Sequence, residues 1–390
     1  MKNILSVFFL ILPFCAFAQN DAKALDDSVT SIVERIIDKK VNSRIIVDFS
    51  SSVNGYFTDG EFDGSSMKLN VLRLDAYGSI SDQFSYRFRQ SFNKNYLKAY
   101  TDNVASSLEY VFVKWQPNPR FGLTVGKQFV VIAGYEALEN AMYVREFTDF
   151  NDNLSYYRLG VTGSIKLDQE LNHELQIQIA NNRNGTDADI YAHGLPSGVE
   201  PTKFPYITAV CWNGYFADKA LNLVYAASVA PAAKGKNIYY LTCGNIYKKG
   251  PVFAYLDVMY SREDIDTQQR ITRLQNGFVP VTAQNAEYLT FIAKFDYRFH
   301  PKWNAYVKGA YETSSITRSN GHFEAGKYMT NWNAQASIEW LPFTKNKGIK
   351  VYAHYIYKGT ELEGPARSWG IDLPNTQRVS VGFIYEIPVL

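Results

Sequence analysis

From Leu289 to His300 the chain sets Leu289, Phe291, Ala293, Phe295, Tyr297 and Phe299 on one face. Thr290, Ile292, Lys294, Asp296, Arg298 and His300 fall on the other. The same beat returns from Trp303 to Glu312, from Asn331 to Trp340 and from Arg378 to Ile387. A period of two is that of a β-strand. One face is aromatic and aliphatic while the other carries full charges, on runs long enough to cross a bilayer, which takes about 9–11 residues of tilted strand. Apolar toward lipid and polar toward a lumen is the pattern of an outer-membrane barrel. The expected fold is therefore all-β, a transmembrane antiparallel β-barrel of about 16 strands with a short N-terminal helical segment.

The N-terminus is consistent with export. Lys2 precedes an apolar run from Ile4 to Phe14, and Ala16-Phe17-Ala18 offers small residues before Gln19. Residues 1–18 read as a cleaved signal peptide, addressing the chain to a bacterial outer membrane. Cys15 invites a lipoprotein reading, but Phe14 before it is bulky for lipidation. No later run approaches the roughly 18 apolar residues of a membrane helix. In residues 19–44, Leu25, Val29, Ile32 and Ile36 recur at helical spacing, which suits a short coiled coil or a plug lying against or inside the barrel. The barrel proper is expected over 45–390.

Other chemistries find little support. The formal net charge of +2 shows no excess that would suit nucleic acid. His173, His193, His300, His322 and His354 have no metal-ligand spacing, and no Gly-rich phosphate loop is present. No cofactor, metal or catalytic residue is therefore assigned, and no enzyme activity is expected. Cys211 and Cys243 should be free, because the strand near 221–229 intervenes.

Alternation predicts strands beginning near Ile45, Met67, Phe84, Leu108, Phe121, Tyr157, His173, Tyr206, Ala220, Asn237, Val252, Tyr288, Trp303, Met329, Ile349 and Gln377. Odd-numbered links are mostly long (58–65, 93–105, 130–155, 181–203, 261–285, 315–328, 358–376). Even-numbered ones are mostly tight, as at Ser81-Asp82 and Asp218-Lys219. Long loops on one side and short turns on the other suit a barrel with both termini periplasmic. Aromatics beside the turns, such as Trp115, Phe121, Trp303, Trp340 and Phe343, would form a girdle.

The alternation turns certain charges inward. Arg73, Arg87, Arg89, Arg158, Lys166, Lys294, Arg298, Lys308, Lys350 and Arg378 face the lumen, against Asp48, Asp75, Glu109, Glu174, Asp257, Asp296, Glu312, Glu339 and Glu386. On the lipid side an Arg or Lys would cost about 2–4 kcal/mol near the midplane, which fixes the phase. The lumen is nearly balanced overall, but Arg73, Arg87, Arg89 and Arg158 crowd the second, third and sixth strands, as an anion-attracting wall or as struts paired with acids. The long link 130–155 carries Glu136, Glu139, Glu146, Asp149 and Asp152 with Arg145 opposing. Folded inward, it would narrow the channel with an acidic edge facing that basic wall. The alternative is an exposed surface loop.

The runs MKLNVLRLDAYGSISDQFSYRFRQSF (67–92), LEYVFVKWQPNPRFGLTVGKQF (108–129) and YYRLGVTGSI (156–165) resemble the phosphate-selective porin O/P family. The resemblance runs through much of the mature chain in strand order. It implies sixteen-stranded homotrimers that pass anions such as phosphate, with inward arginines at Arg73, Arg87 and Arg158 and Arg89 beside them. Two features depart from the pattern: the link 130–155 lacks dense Lys or Arg, and the chain ends in Leu390 rather than an aromatic. The leading reading is a passive diffusion porin in outer-membrane lipid, with a possible preference for anions. The alternatives are a barrel that anchors or displays its loops for a partner and an outer-membrane enzyme.

Overall fold

The computed structural model describes residues 42–94, 105–182, 190–274, 280–343 and 348–390. The expected signal peptide over 1–18 and nearly all of segment 19–44 lie outside the described residues; Asn42, Ser43 and Arg44 already belong to the first strand. The strands are β1 (Asn42–Thr58), β2 (Glu61–Ser79), β3 (Phe84–Ser91), β4 (Leu108–Trp115), β5 (Phe121–Phe129), β6 (Tyr157–Lys166), β7 (His173–Asn181) and β8 (Tyr206–Phe216). They continue as β9 (Leu221–Ala233), β10 (Lys236–Lys249), β11 (Val252–Ile265), β12 (Gln284–His300), β13 (Trp303–Ile316), β14 (Gly326–Trp340), β15 (Ile349–Leu362) and β16 (Thr376–Pro388).

These strands close in sequence order into one antiparallel barrel, with β1 paired to β16 from Ile46↔Pro388 to Thr58↔Thr376. Closure gives every spanning strand a partner on both sides, the condition for a sheet in a medium that offers backbone groups no water. The faces follow the alternation. Val307 is 57% exposed and its neighbour Lys308 only 4%. Phe291, Phe295, Trp332, Ile338, Val379 and Val381 look outward, while Lys294, Gln335, Glu339 and Ser380 are buried inward. At the short-turn end Trp115 packs edge-on against Phe121 (6.3 Å) and Trp303 lies 6.5 Å from Trp340, as an interfacial girdle requires. Cys211 and Cys243 are free, on strands separated by β9.

One link expected to be long is tight. The first connection is not a long loop over 58–65 but the two-residue turn Asp59-Gly60, with φ of +49° and +89°, and β2 starts at Glu61 rather than near Met67. Asp-Gly with both residues left-handed suits a type I′ hairpin, whose twist matches that of its strands. The Asp-Gly pair outweighs the weak alternation of 61–66.

The lumen is far from empty. Within 130–156 lie three short helices, α1 (Tyr135–Leu138), α2 (Ala141–Val144) and α3 (Asp149–Asp152), and the connection between β11 and β12 carries α4 (Arg270–Leu274). Val130, Ile132, Phe150, Tyr191, Ile271 and Leu274 cluster with inward side chains of β8–β12, among them Ile207, Ile238, Tyr240, Met259 and Ile292. The barrel thus holds a second hydrophobic core on that side. Because Val381 sits mid-strand on the outer face, Val381→Arg should destabilise the folded barrel by about 2–4 kcal/mol in denaturant-dependent folding into bilayers. Ser380→Ala on the inner face should shift it far less.

Candidate functional site

The segment 130–156 crosses the lumen because the wall supplies counter-charges for it. Gly134 lets the chain approach β11: a Cβ there would sit 2.5 Å from Cγ of Asp257. The Asp257 carboxylate in turn accepts the backbone N–H of Glu136 at 2.8 Å. Glu136 is fully buried, ion-paired to Nζ of Lys308 at 2.6 Å and hydrogen-bonded by the Thr148 hydroxyl (2.7 Å) and the Asn151 amide (2.5 Å). Burial alone would raise its pKa; Lys308 and these donors outweigh burial and hold it below the ordinary value. Glu139 pairs with Lys294 at 2.5 Å.

From α2 onward the segment is fastened to β13–β16. Tyr143 donates to Glu386 at 2.7 Å. Arg145 reaches Glu339, donates to Ser337 (2.5 Å) and Tyr306 (3.1 Å), and lies 3.9 Å over the Tyr352 ring. Its φ of +58° is a conformation an arginine keeps only when its surroundings over-determine it. Glu146 is held by Lys358 (2.5 Å) and Arg378 (2.9 Å). The backbone N–H groups of Asp149 and Phe150 donate to Glu312 at 3.0 and 2.9 Å, and Arg270 of α4 stands 3.5 Å from the same carboxylate. The acidic edge therefore meets Lys294, Lys308, Lys358 and Arg378, not the arginines of β2, β3 and β6.

The four arginines expected in one wall also separate. Arg73 is buried on Asp48 (2.5 Å), near Glu109 (3.6 Å), and donates to Asn140 of the inward segment at 2.8 Å. Arg87 and Arg89 share one carboxylate, Asp75, at 2.8 and 2.6 Å. Arg158 stands apart, donating to the Ser155 carbonyl (2.9 Å) and the Asn182 amide oxygen (3.3 Å). Lys166 pairs with Glu174, and Arg298 makes no ion pair among the described residues. Sequence reasoning gave no role to Arg270 or Lys358. Lys358 keeps the inward phase of Tyr352, His354 and Ile356 and was legible as such; Arg270 sits in a loop helix that no strand period reaches.

A cavity of about 350 Å³ remains beside the inward segment. It is bounded by Ser50, Ser52, Asn54, Arg73 and Glu109 of the β1–β4 wall, Met142, Arg145, Phe147 and Asp152 of the segment, and His354, Arg378 and Ser380 of β15–β16. Asp152 has no ion pair among the described residues. Burial first, then the neighbouring Glu146 and Asp149 carboxylates, raise its pKa against the pull of Lys358.

Two outcomes follow. Lys308→Met leaves Glu136 buried without its cation, a loss of about 3–5 kcal/mol. It should release the segment, seen as higher single-channel conductance and protease cleavage within 130–156. Lys350→Met should do less, because Glu339 keeps Arg145. As pH falls into the carboxylate range, Asp152, with its raised pKa, takes up a proton ahead of an ordinary carboxylate and removes a fixed negative charge. The anion-to-cation permeability ratio should therefore rise on acidification, by a smaller step in Asp152→Asn.

The family model for phosphate-selective porin O and P matches residues 40–387. No curated protein matches the chain. Among solved structures, the outer membrane channel DcaP of Acinetobacter baumannii superposes with a TM-score of 0.61 at 11% identity, covering 89% of this chain and 97% of that one. The anion-selective porin from Comamonas acidovorans gives 0.57 at 8% identity, covering 89% and 100%. Salmonella typhi OmpF gives 0.52 at 12% identity, covering 87% and 97%. With the family model spanning nearly the whole barrel, the chain belongs to the phosphate-selective porin O and P family, and it is an outer-membrane porin, a passive diffusion channel.

Proposed function

We propose that the channel passes small hydrophilic solutes with a mild preference for anions, phosphate among them, and without a dedicated phosphate site. The observation that carries this reading is the sharing of Asp75 by Arg87 and Arg89. On the β1–β4 wall Arg73, Arg87, Arg89 and Lys94 meet, among the described residues, Asp48, Asp75 and Glu109, four cations to three carboxylates, with Arg87 partly open to the lumen. A single fixed charge about 4 Å from a passing ion contributes about 1–4 kcal/mol between bulk water and a protein-like dielectric, less with salt screening. The preference is mild because the inward segment brings carboxylates of its own. The solved porin from Comamonas acidovorans, described as anion-selective, supports the same direction.

The protein works as a homotrimer, inserted in outer-membrane lipid after its signal peptide is cleaved, with both termini periplasmic and the long links outside. OmpT of Vibrio cholerae, solved in a trimer form with a TM-score of 0.53, supports the assembly. Reversal potentials in a salt gradient test the reading. Arg87→Ala with Arg89→Ala should lower the anion-to-cation permeability ratio, while native mass still gives three chains. An assembled double mutant with the wild-type reversal potential would make the two arginines wall struts. A barrel that conducts no ions would favour loop display or an outer-membrane enzyme instead.

A further inference from the structure

The cavity beside the inward segment has a composition unlike that of an ion filter. Each of its cations already has a carboxylate: Arg73 has Asp48, Lys94 has Glu109, Arg145 has Glu339 and Arg378 has Glu146. An anion entering here meets compensated cations and also the Glu109 and Asp152 carboxylates. What remains unmatched is hydrogen-bonding capacity of both signs. Among the described residues Nε of Arg145 and Nε of Arg378 are buried donors with no hydrogen-bond acceptor, and Oε2 of Glu109 is a buried acceptor with no hydrogen-bond donor, Arg73 and Arg89 standing 3.6 and 3.9 Å from it. Buried polar atoms left open in this way cost free energy until something satisfies them. Phosphate near neutral pH is mainly an acceptor, keeping only one or two hydroxyl protons and bringing a charge; a polyol offers several uncharged hydroxyls, each of which donates and accepts.

The opposite side of the cavity is neutral and polar. Ser52 donates to Asn54 (3.0 Å), Asn70 donates to Ser52 (2.9 Å) and Ser380 donates to Asn54 (2.8 Å), a strip of hydroxyls and amides across β1, β2 and β16. Phe147 adds a half-buried apolar ring to the lining. The volume of about 350 Å³ is at the lower end for ligand pockets, which run from about 300 to 1,000 Å³. It is several times what a bare inorganic ion fills.

We propose that this cavity binds a neutral, hydroxyl-rich solute of monosaccharide size, held between the Arg145–Glu109 side and the Asn54–Asn70 strip as it crosses the channel. The proposal rests on the diffusion-channel reading and adds the class of solute. It does not depend on anion preference, because Arg87 and Arg89 are not part of the cavity lining.

The test is single-channel current in planar bilayers at fixed ionic strength, titrated separately with glucose and with inorganic phosphate. Glucose should reduce the current along a saturating curve, beyond the proportional fall that bulk viscosity imposes. Asn54→Ala with Asn70→Ala should raise the half-blocking concentration roughly three- to tenfold, the effect of losing one or two hydrogen bonds. A current that falls with glucose only as viscosity does, or a saturating block by phosphate and none by glucose, overturns the proposal while leaving the channel reading intact. A barrel that passes no ions overturns both. Because the glucose and phosphate titrations are made on the wild-type protein, the result stands even if the double mutant fails to assemble.

Discussion

In hydrocarbon no water is available to an unpaired N–H or C=O, so a sheet that spans a membrane must close on itself. The rest of this structure depends on that requirement. Closure of sixteen strands fixes which face each residue sees, and the period of two then delivers charges to the lumen in register. A lumen wide enough to be lined by so many Lys, Arg, Asp and Glu side chains has to balance them locally. Much of that balance comes from the chain's own segment 130–156. Glu136, Glu139 and Glu146 enter as counter-ions to Lys308, Lys294 and Lys358. The segment is held in place by electrostatic pairing as well as by the apolar cluster around Val130, Ile132 and Phe150.

Such pairing weakens a filter and strengthens a scaffold. A lysine and a glutamate buried together project little field into the passage, however many of them there are. What an ion senses is the remainder, which includes the extra guanidinium at Asp75 and, without an ion pair among the described residues, Asp152, Arg158 and Arg298. Counting inward charges therefore says little about selectivity until their partners are known.

The fold was legible because it follows from local alternation, which needs no knowledge of what lies across the barrel. The strands from Phe84 and Trp303 begin where the alternation begins. The first hairpin was not legible in the alternation, because its strands are weakly patterned near Gly60; the turn is set by the Asp-Gly pair. The pairings in the lumen were not legible. Glu136 meets Lys308 and Tyr143 meets Glu386 only because a closed sheet brings β13 and β16 opposite the segment, and alternation gives direction but not angular position. Arg158 illustrates the same limit: its inward phase is as expected, yet three strands of separation from Arg87 place it among Ser155 and Asn182 instead.

The tether from Tyr143 to Glu386 joins the middle of the segment to the last strand of the barrel. Contacts this distant in sequence are slow to form, because the intervening chain must be ordered first. Glu386, Lys358 and Arg378 all lie on the last two strands, β15 and β16. The segment can take up its fastened position only once the C-terminal strands are in place, so closing the cylinder and narrowing its bore are successive events. A partly assembled barrel is therefore a wider hole than the finished one.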